Sequence, residues 1–420
     1  MVLAPAAYMI AVELGQLNRV GPTVGPIRLD EAFGILALLL GRGFHGLVGV
    51  LPIVAGVGIG MMIADLLDPR SPGRFKPTRR LLSSLLTAAL ILLAGLIALP
   101  ARTPPILDEG GNVIPGSIAS LEEVQIDGQQ QWIMLRGQRT DNPVLLYLSG
   151  GPGQSDLSYS RVFFENLTRD FTVVSWDERG TGKSYASLDP TETLTLTQAI
   201  ANTAALTQYL QERFEEEKIY LMGESWGSLL GVLTVQKHPE LYHAFIGSGQ
   251  MVDVQESDRR IYQALLQKAS QTGDQQLREK LQQYGEPPYK DMPYANGFIM
   301  SQYPQLEKPY KPPQSYIQRG MSARLGPMNL LGSEYNLVEK VNILRGLIDM
   351  FTVMYPQIQS VDFRQSVRQL EVPIYILDGA AELPARRELL LEWFDELEAP
   401  KKELFTFEAA AHSVAFEQFE

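Results

Sequence analysis

The sequence predicts an α/β fold, a mostly parallel sheet covered by helices on both faces, and three observations carry that expectation. From residue 118 onward, apolar β-type runs alternate with amphipathic helical stretches, an order that calls for parallel strands joined by crossover helices. One run, Val144-Leu145-Leu146-Tyr147-Leu148, is apolar on both faces, as a central strand should be. Another, 218–222, leads into Gly223-Glu224-Ser225-Trp226-Gly227 and then a helical stretch over 228–237. Strand, sharp turn and helix in that order lift a serine hydroxyl clear of the sheet, while the glycines let strand and helix pass without Cβ clashes. Ser225 is therefore the candidate nucleophile.

Composition narrows the classes. The 420 residues are 45% apolar and 20% charged, enough for a large core. The first hundred residues hold eight Lys/Arg against five Asp/Glu, and the remainder 28 against 43, so a basic end precedes an acidic body. An acidic body argues against nucleic acid. With no cysteine there is no disulfide, thiol nucleophile or thiolate zinc site, and four scattered histidines suggest no metal cluster.

In chain order, residues 44–64 and 81–99 are uncharged and long enough to cross a bilayer, and both are expected as transmembrane helices within a membrane region 1–100. The segment between them carries Arg70, Arg74, Lys76, Arg79 and Arg80, more positive charge than either outer flank. The positive-inside tendency makes that loop cytoplasmic and puts everything after Leu99 on the extracytoplasmic side. Residues 101–117, rich in Pro and Gly, suit a linker. Strands follow over 121–126, 131–136 and 144–148, the last ending in Ser149-Gly150-Gly151-Pro152-Gly153. The strand 171–176 precedes the loop Asp177-Glu178-Arg179-Gly180-Thr181-Gly182-Lys183-Ser184, whose Gly-x-Gly falls short of a phosphate-binding signature and reads as structural. A helix over 196–216 leads to 218–222 and the Ser225 turn, and 244–247 follows the next helix.

That rhythm breaks after Gly249. Between 251 and 369 the helical candidates 259–269, 275–283 and 337–350 are separated by a Pro/Tyr-rich passage, 287–313, as in an inserted helical cap. The sheet pattern resumes with the strand 373–377, a helix over 386–396, the strand 403–407 and the segment 409–413, so the core comprises 118–250 and 370–420.

A serine hydroxyl needs a base, and the base a carboxylate that fixes its tautomer. His45 lies in a membrane stretch, and His238 and His243 follow the Ser225 helix at the far end of the sheet; His412 alone follows a late strand. With the acid on the turn after the preceding strand, Glu382 is the favoured carboxylate and Asp378 its rival. The oxyanion of acyl transfer needs fixed N–H donors, and Gly151 and Trp226 supply them. Glu224, beside the nucleophile, is read as a loop-anchoring carboxylate, with a second catalytic acid as the alternative.

Together these segments resemble the α/β-hydrolase superfamily and, within it, the prolyl iminopeptidase-like serine aminopeptidases, over residues 118–250 and 370–418. Gly150-Gly151-Pro152-Gly153 is similar to the family's His-Gly-Gly-Pro-Gly oxyanion loop, Asp177 to Ser184 resembles its Asp-Gln-Arg-Gly-x-Gly-x-Ser loop, and Gly223 to Ser228 looks like its Gly-Gly-Ser-Trp-Gly-Ser elbow. The resemblance implies Ser225 as nucleophile, Gly151 and Trp226 as oxyanion donors, His412 as base, an acyl-enzyme, and no metal or organic cofactor. It departs from the family where Ser149 replaces His, where Glu382 stands in place of Asp on a turn shortened before Pro384, and in the brief segment after His412. The expected activity is release of N-terminal proline or a small apolar residue from peptides. A carboxylesterase on small esters is the alternative, and a silent hydrolase fold used as a binding module is the alternative of another class. Family members hold the substrate amine with acidic cap residues, for which Glu334, Asp349 and Asp362 are candidates. The oligomeric state stays open.

Overall fold

The computed structural model describes Leu85, Gly95 and residues 99–420 apart from 291, 293, 324 and 326–329. The expected spans 44–64 and 81–99 therefore lie, but for Leu85, Gly95 and Leu99, outside the described residues; among those that are described, no helix is long and apolar enough to cross a membrane.

Among the described residues, eight strands form one sheet: β1 (Ile118–Ile126), β2 (Gln129–Gly137), β3 (Val144–Leu148), β4 (Thr172–Asp177), β5 (Ile219–Glu224), β6 (Tyr242–Ser248), β7 (Ile374–Gly379) and β8 (Lys402–Phe407). Their spatial order is β1-β2-β4-β3-β5-β6-β7-β8, with β1 and β2 antiparallel and every pair from β4 to β8 parallel. β3 is buried at every position, as its two-faced apolar sequence requires. The order reverses at β3–β5, so the loops at their carboxyl ends open into one crevice, where sheets of this kind carry their sites.

Within residues 99–420 the helices are α1 (Leu157–Phe163), α2 (Leu196–Phe214), α3 (Trp226–Lys237), α4 (Val254–Thr272), α5 (Gln275–Tyr284), α6 (Tyr294–Ser301), α7 (Gln314–Ala323), α8 (Leu337–Ile358), α9 (Phe363–Ser366), α10 (Pro384–Glu396) and α11 (Val414–Glu417). On one face Leu145, Tyr147, Val173 and Met222 pack with Phe163, Phe164 and Phe416, that is, with α1 and α11. α2 and α3 cover the opposite face, where Gly231 of α3 meets the Phe245 ring.

The inserted segment carries α4 to α8, of which α6 and α7 lie inside or beside the Pro/Tyr-rich passage and were not among the helical candidates of the sequence. Short helices broken by turns leave too few repeats for a 3.6-residue rhythm to register. Its two ends meet: Asp253 and Asp362 form an antiparallel bridge, and Arg364 donates to both carboxylates at 2.7 and 3.0 Å. Of the expected linker, residues 102–106 pack on the domain while 107–113 are exposed. Ile106 is buried, and the Arg136 guanidinium donates to Thr103 Oγ1 and the Pro104 carbonyl at 2.7 and 2.6 Å.

Candidate active site

β5 delivers Ser225 onto a turn with φ 53° and ψ −115°, a conformation a non-glycine residue adopts only under constraint. The constraint is visible. Ser225 N donates to Ser248 O of β6 at 3.0 Å, and Ser225 O accepts from the Ser228 hydroxyl at 2.6 Å. Trp226 opens α3, so its amide is among the first-turn donors that find no acceptor within the helix. The 149–153 turn after β3 runs alongside: a Cβ on Gly150 would sit 3.6 Å from Ser225 Cβ, and Gly151 has φ +117°. The Ser225 hydroxyl hydrogen-bonds the Met251 thioether at 3.7 Å.

Glu382 sits on the turn after β7, its amide bonded to Gly379 O at 3.0 Å. One carboxylate oxygen accepts from Leu383 N at 2.7 Å, with Arg386 Nη1 3.7 Å away, and the other hydrogen-bonds His412 Nδ1. Burial opposes ionisation of this carboxyl, but His412 and then Arg386 more than offset it, holding it down to about 2. Asp378 is otherwise engaged. Arg387 donates to both its oxygens at 2.8 to 3.1 Å, and the Thr406 hydroxyl adds a bond of 3.0 Å. The histidine loop presses on the same turn so closely that a Cβ on Gly379 would lie 2.0 Å from Ala411 O. Of the other described histidines, His238 lies 3.6 Å from Glu240 after α3, and the His243 ring centre lies 5.1 Å from that of Tyr220 at the amino ends of β6 and β5, remote from Ser225.

The Asp177 to Ser184 loop folds on itself, with Asp177 Oδ2 accepting from Lys183 N at 2.8 Å and Asp177 O from the Ser184 hydroxyl at 2.6 Å. Glu178 accepts from the Trp226 indole at 3.2 Å, which ties this loop to the Ser225 turn. Glu224 is 3% exposed and its Oε2 has no hydrogen-bond partner. Burial raises its carboxyl from the ordinary 4.5 to about 8, and Asp156 pushes the same way while Ser413 opposes. A carboxyl raised on folding favours the native state fully below its unfolded value, and that advantage declines as pH rises to the folded value. Glu224→Gln is therefore expected to unfold like the wild type near pH 4 and at progressively higher temperature than it from pH 5 to 8. Parallel melting curves across that range would show the carboxyl to be indifferent.

The three cap carboxylates singled out in the sequence are already paired. Glu334 is bound to Arg161 at 2.5 Å, Asp349 to the Tyr185 hydroxyl at 2.5 Å, and Asp362 caps α9 while meeting Arg364. Glu307, which the sequence analysis missed, is half-buried in the cap. Desolvation raises its carboxyl first, and it interacts electrostatically with Glu382, Arg386 and His412. Its position between Tyr303 and Tyr310 in the Pro/Tyr-rich passage was the available signal.

The family model described as alpha/beta hydrolase fold matches residues 143–288. A probable aminopeptidase of Bacillus subtilis (strain 168) is 31% identical over 304 residues, covering 72% of this chain and 93% of that protein. A proline iminopeptidase of Lactobacillus helveticus is 30% identical over 126 residues, 30% of this chain and 41% of that one. Among solved structures, a proline iminopeptidase-related protein from Thermus thermophilus matches with a TM-score of 0.48 at 15% identity, covering 71% of this chain and 92% of its own.

Proposed function

The chain belongs to the prolyl iminopeptidase-like serine aminopeptidases of the α/β-hydrolase superfamily, and from that premise we propose that it is a membrane-anchored aminopeptidase releasing an N-terminal prolyl or small apolar residue through an acyl-enzyme. The observation that carries this reading is the pairing of His412 Nδ1 with Glu382 on the turn after β7, together with a serine held at positive φ on the turn after β5.

In this reading Ser225 rotates from Met251 towards His412, whose Nε2 takes the hydroxyl proton as Oγ attacks the scissile carbonyl. The N–H groups of Gly151 and Trp226 stabilise the resulting oxyanion. Glu382 holds the tautomer and the imidazolium, His412 passes the proton to the leaving amine, and water then hydrolyses the acyl-Ser225. Glu307 is positioned to hold the substrate ammonium, which limits cleavage to the first residue. Anchoring by 44–64 and 81–99, with the basic segment between them cytoplasmic, puts the domain on the extracytoplasmic side.

The test offers prolyl- and alanyl-naphthylamides with free and acetylated amines, alongside short-chain esters. Turnover confined to free amines is expected. Equal turnover of the acetylated compounds and the esters replaces the aminopeptidase with an esterase. Glu307→Gln is expected to raise KM for free-amine substrates about 10-fold with kcat little changed, as loss of one half-buried charge pair should. An unchanged KM removes Glu307 from the site. External protease applied to right-side-out vesicles should cleave the domain, and protection would reverse the orientation.

A further inference from the structure

The Pro/Tyr-rich passage bonds to side chains next to both Glu382 and His412. Tyr303 opens the short turn Tyr303–Gln305, and its hydroxyl accepts from Arg386 Nη2 at 3.0 Å. The same guanidinium lies 4.9 Å from the Tyr303 ring centroid and puts Nη1 3.7 Å from Glu382 Oε1. At the other end of the segment, Tyr310 donates to Glu417 Oε1 at 2.9 Å, while Glu417 Oε2 accepts from Ala411 N, beside His412, at 2.9 Å. A single cap segment thus reaches both loops that carry the His412–Glu382 pair, each time through one intervening charged side chain.

The chemistry suits that arrangement. A guanidinium presents its donors in a rigid fork, so one Arg386 side chain engages a phenol and a carboxylate together. Glutamate has one more rotatable bond than the aspartate usual at this place, so Glu382 needs more fixing to keep its carboxylate on the imidazole. Leu383 N and Arg386 are the groups that fix its other oxygen. Arg386 also faces Tyr355 and Asp258, Glu417 also faces His412 and Glu307, and Glu382 is sensed by Glu307 and Glu224.

We propose that residues 303–310 form a strap in which Tyr303, through Arg386, and Tyr310, through Glu417, are positioning residues for Glu382 and His412. The inference rests on the Ser225–His412–Glu382 reading above.

The experiment follows inactivation of the full chain by a fluorophosphonate across pH, separating the limiting rate from the half-saturating concentration. The double variant Tyr303→Phe/Tyr310→Phe is expected to lose about 10-fold in limiting rate with half-saturation unchanged. Arg386→Gln is expected to lose on the order of 10²-fold in limiting rate with half-saturation unchanged, the scale of a misplaced catalytic group. Arg386→Lys should restore only part of that rate, since it keeps the charge but not the fork. A raised half-saturating concentration at unchanged limiting rate in the tyrosine double variant overturns the proposal, because the tyrosines then only line the pocket. Should Arg386→Gln fail to fold, the tyrosine double variant decides alone. A wild-type chain that resists inactivation at every pH removes the triad reading itself, and the strap with it.

Discussion

Ser225→Ala is expected to abolish fluorophosphonate labelling and to lower kcat by about 10⁵- to 10⁶-fold, the scale seen when a serine hydrolase loses its nucleophile. The geometry argues for an effect confined to chemistry. Ser225 is held by backbone bonds, its amide to Ser248 O and its carbonyl to Ser228, and alanine keeps both. The hydroxyl's own partner is a thioether at 3.7 Å, so removing it leaves no strong donor or acceptor stranded. Folding should be unchanged and KM similar. His412→Ala should lose nearly as much, and the two losses should not add, because serine and base act as one unit. Residual turnover of the double variant equal to the product of the two single losses would falsify a shared proton-transfer step, and wild-type rates in Ser225→Ala would move the activity elsewhere.

Gly227→Ala is expected to be strongly damaging to the core. A Cβ there would lie 2.2 Å from Leu148 O and 2.7 Å from both Leu148 C and Ser149 O, all backbone at the end of the central strand. None of those atoms can swing away, so α3 must lift from the sheet. Overpacking of this sort costs about 3 kcal/mol or more, a fall in Tm of roughly 5–10 °C for a domain of this size. The displaced helix also carries the Trp226 amide and the Ser225 turn, so activity should fall with stability. Gly273→Ala is the control. Its φ of +70° makes alanine strained, but nothing lies within 4 Å of the new Cβ, so only the left-handed penalty of about 1 kcal/mol applies. Equal melting temperatures for the two variants would show that the close approach at Gly227 is not rigid.

The sequence by itself determined what is local. Period-two apolar runs and helical stretches marked the strands and most of the core helices, and Val144 to Leu148 announced its central place by being apolar on both faces. The Ser225 turn was legible because a strand, a Gly-x-Ser-x-Gly and a helix are contiguous, and His412 because the other histidines sit at the wrong places in the order of elements. The tertiary structure decided every question that compares residues close in sequence or joins residues far apart. Asp378 and Glu382 share one turn, and only the fold shows that Arg387 captures the first while the second faces His412. Glu334, Asp349 and Asp362 have cap positions like that of Glu307, yet each is held by its own partner, and a carboxylate's partner is a matter of packing, not of spacing. The contacts of Tyr303 with Arg386 and of Tyr310 with Glu417 span 83 and 107 residues. Periodicity reports which face of an element is apolar, whereas these contacts depend on where two distant faces come to rest on the same sheet, and that is set by the fold as a whole.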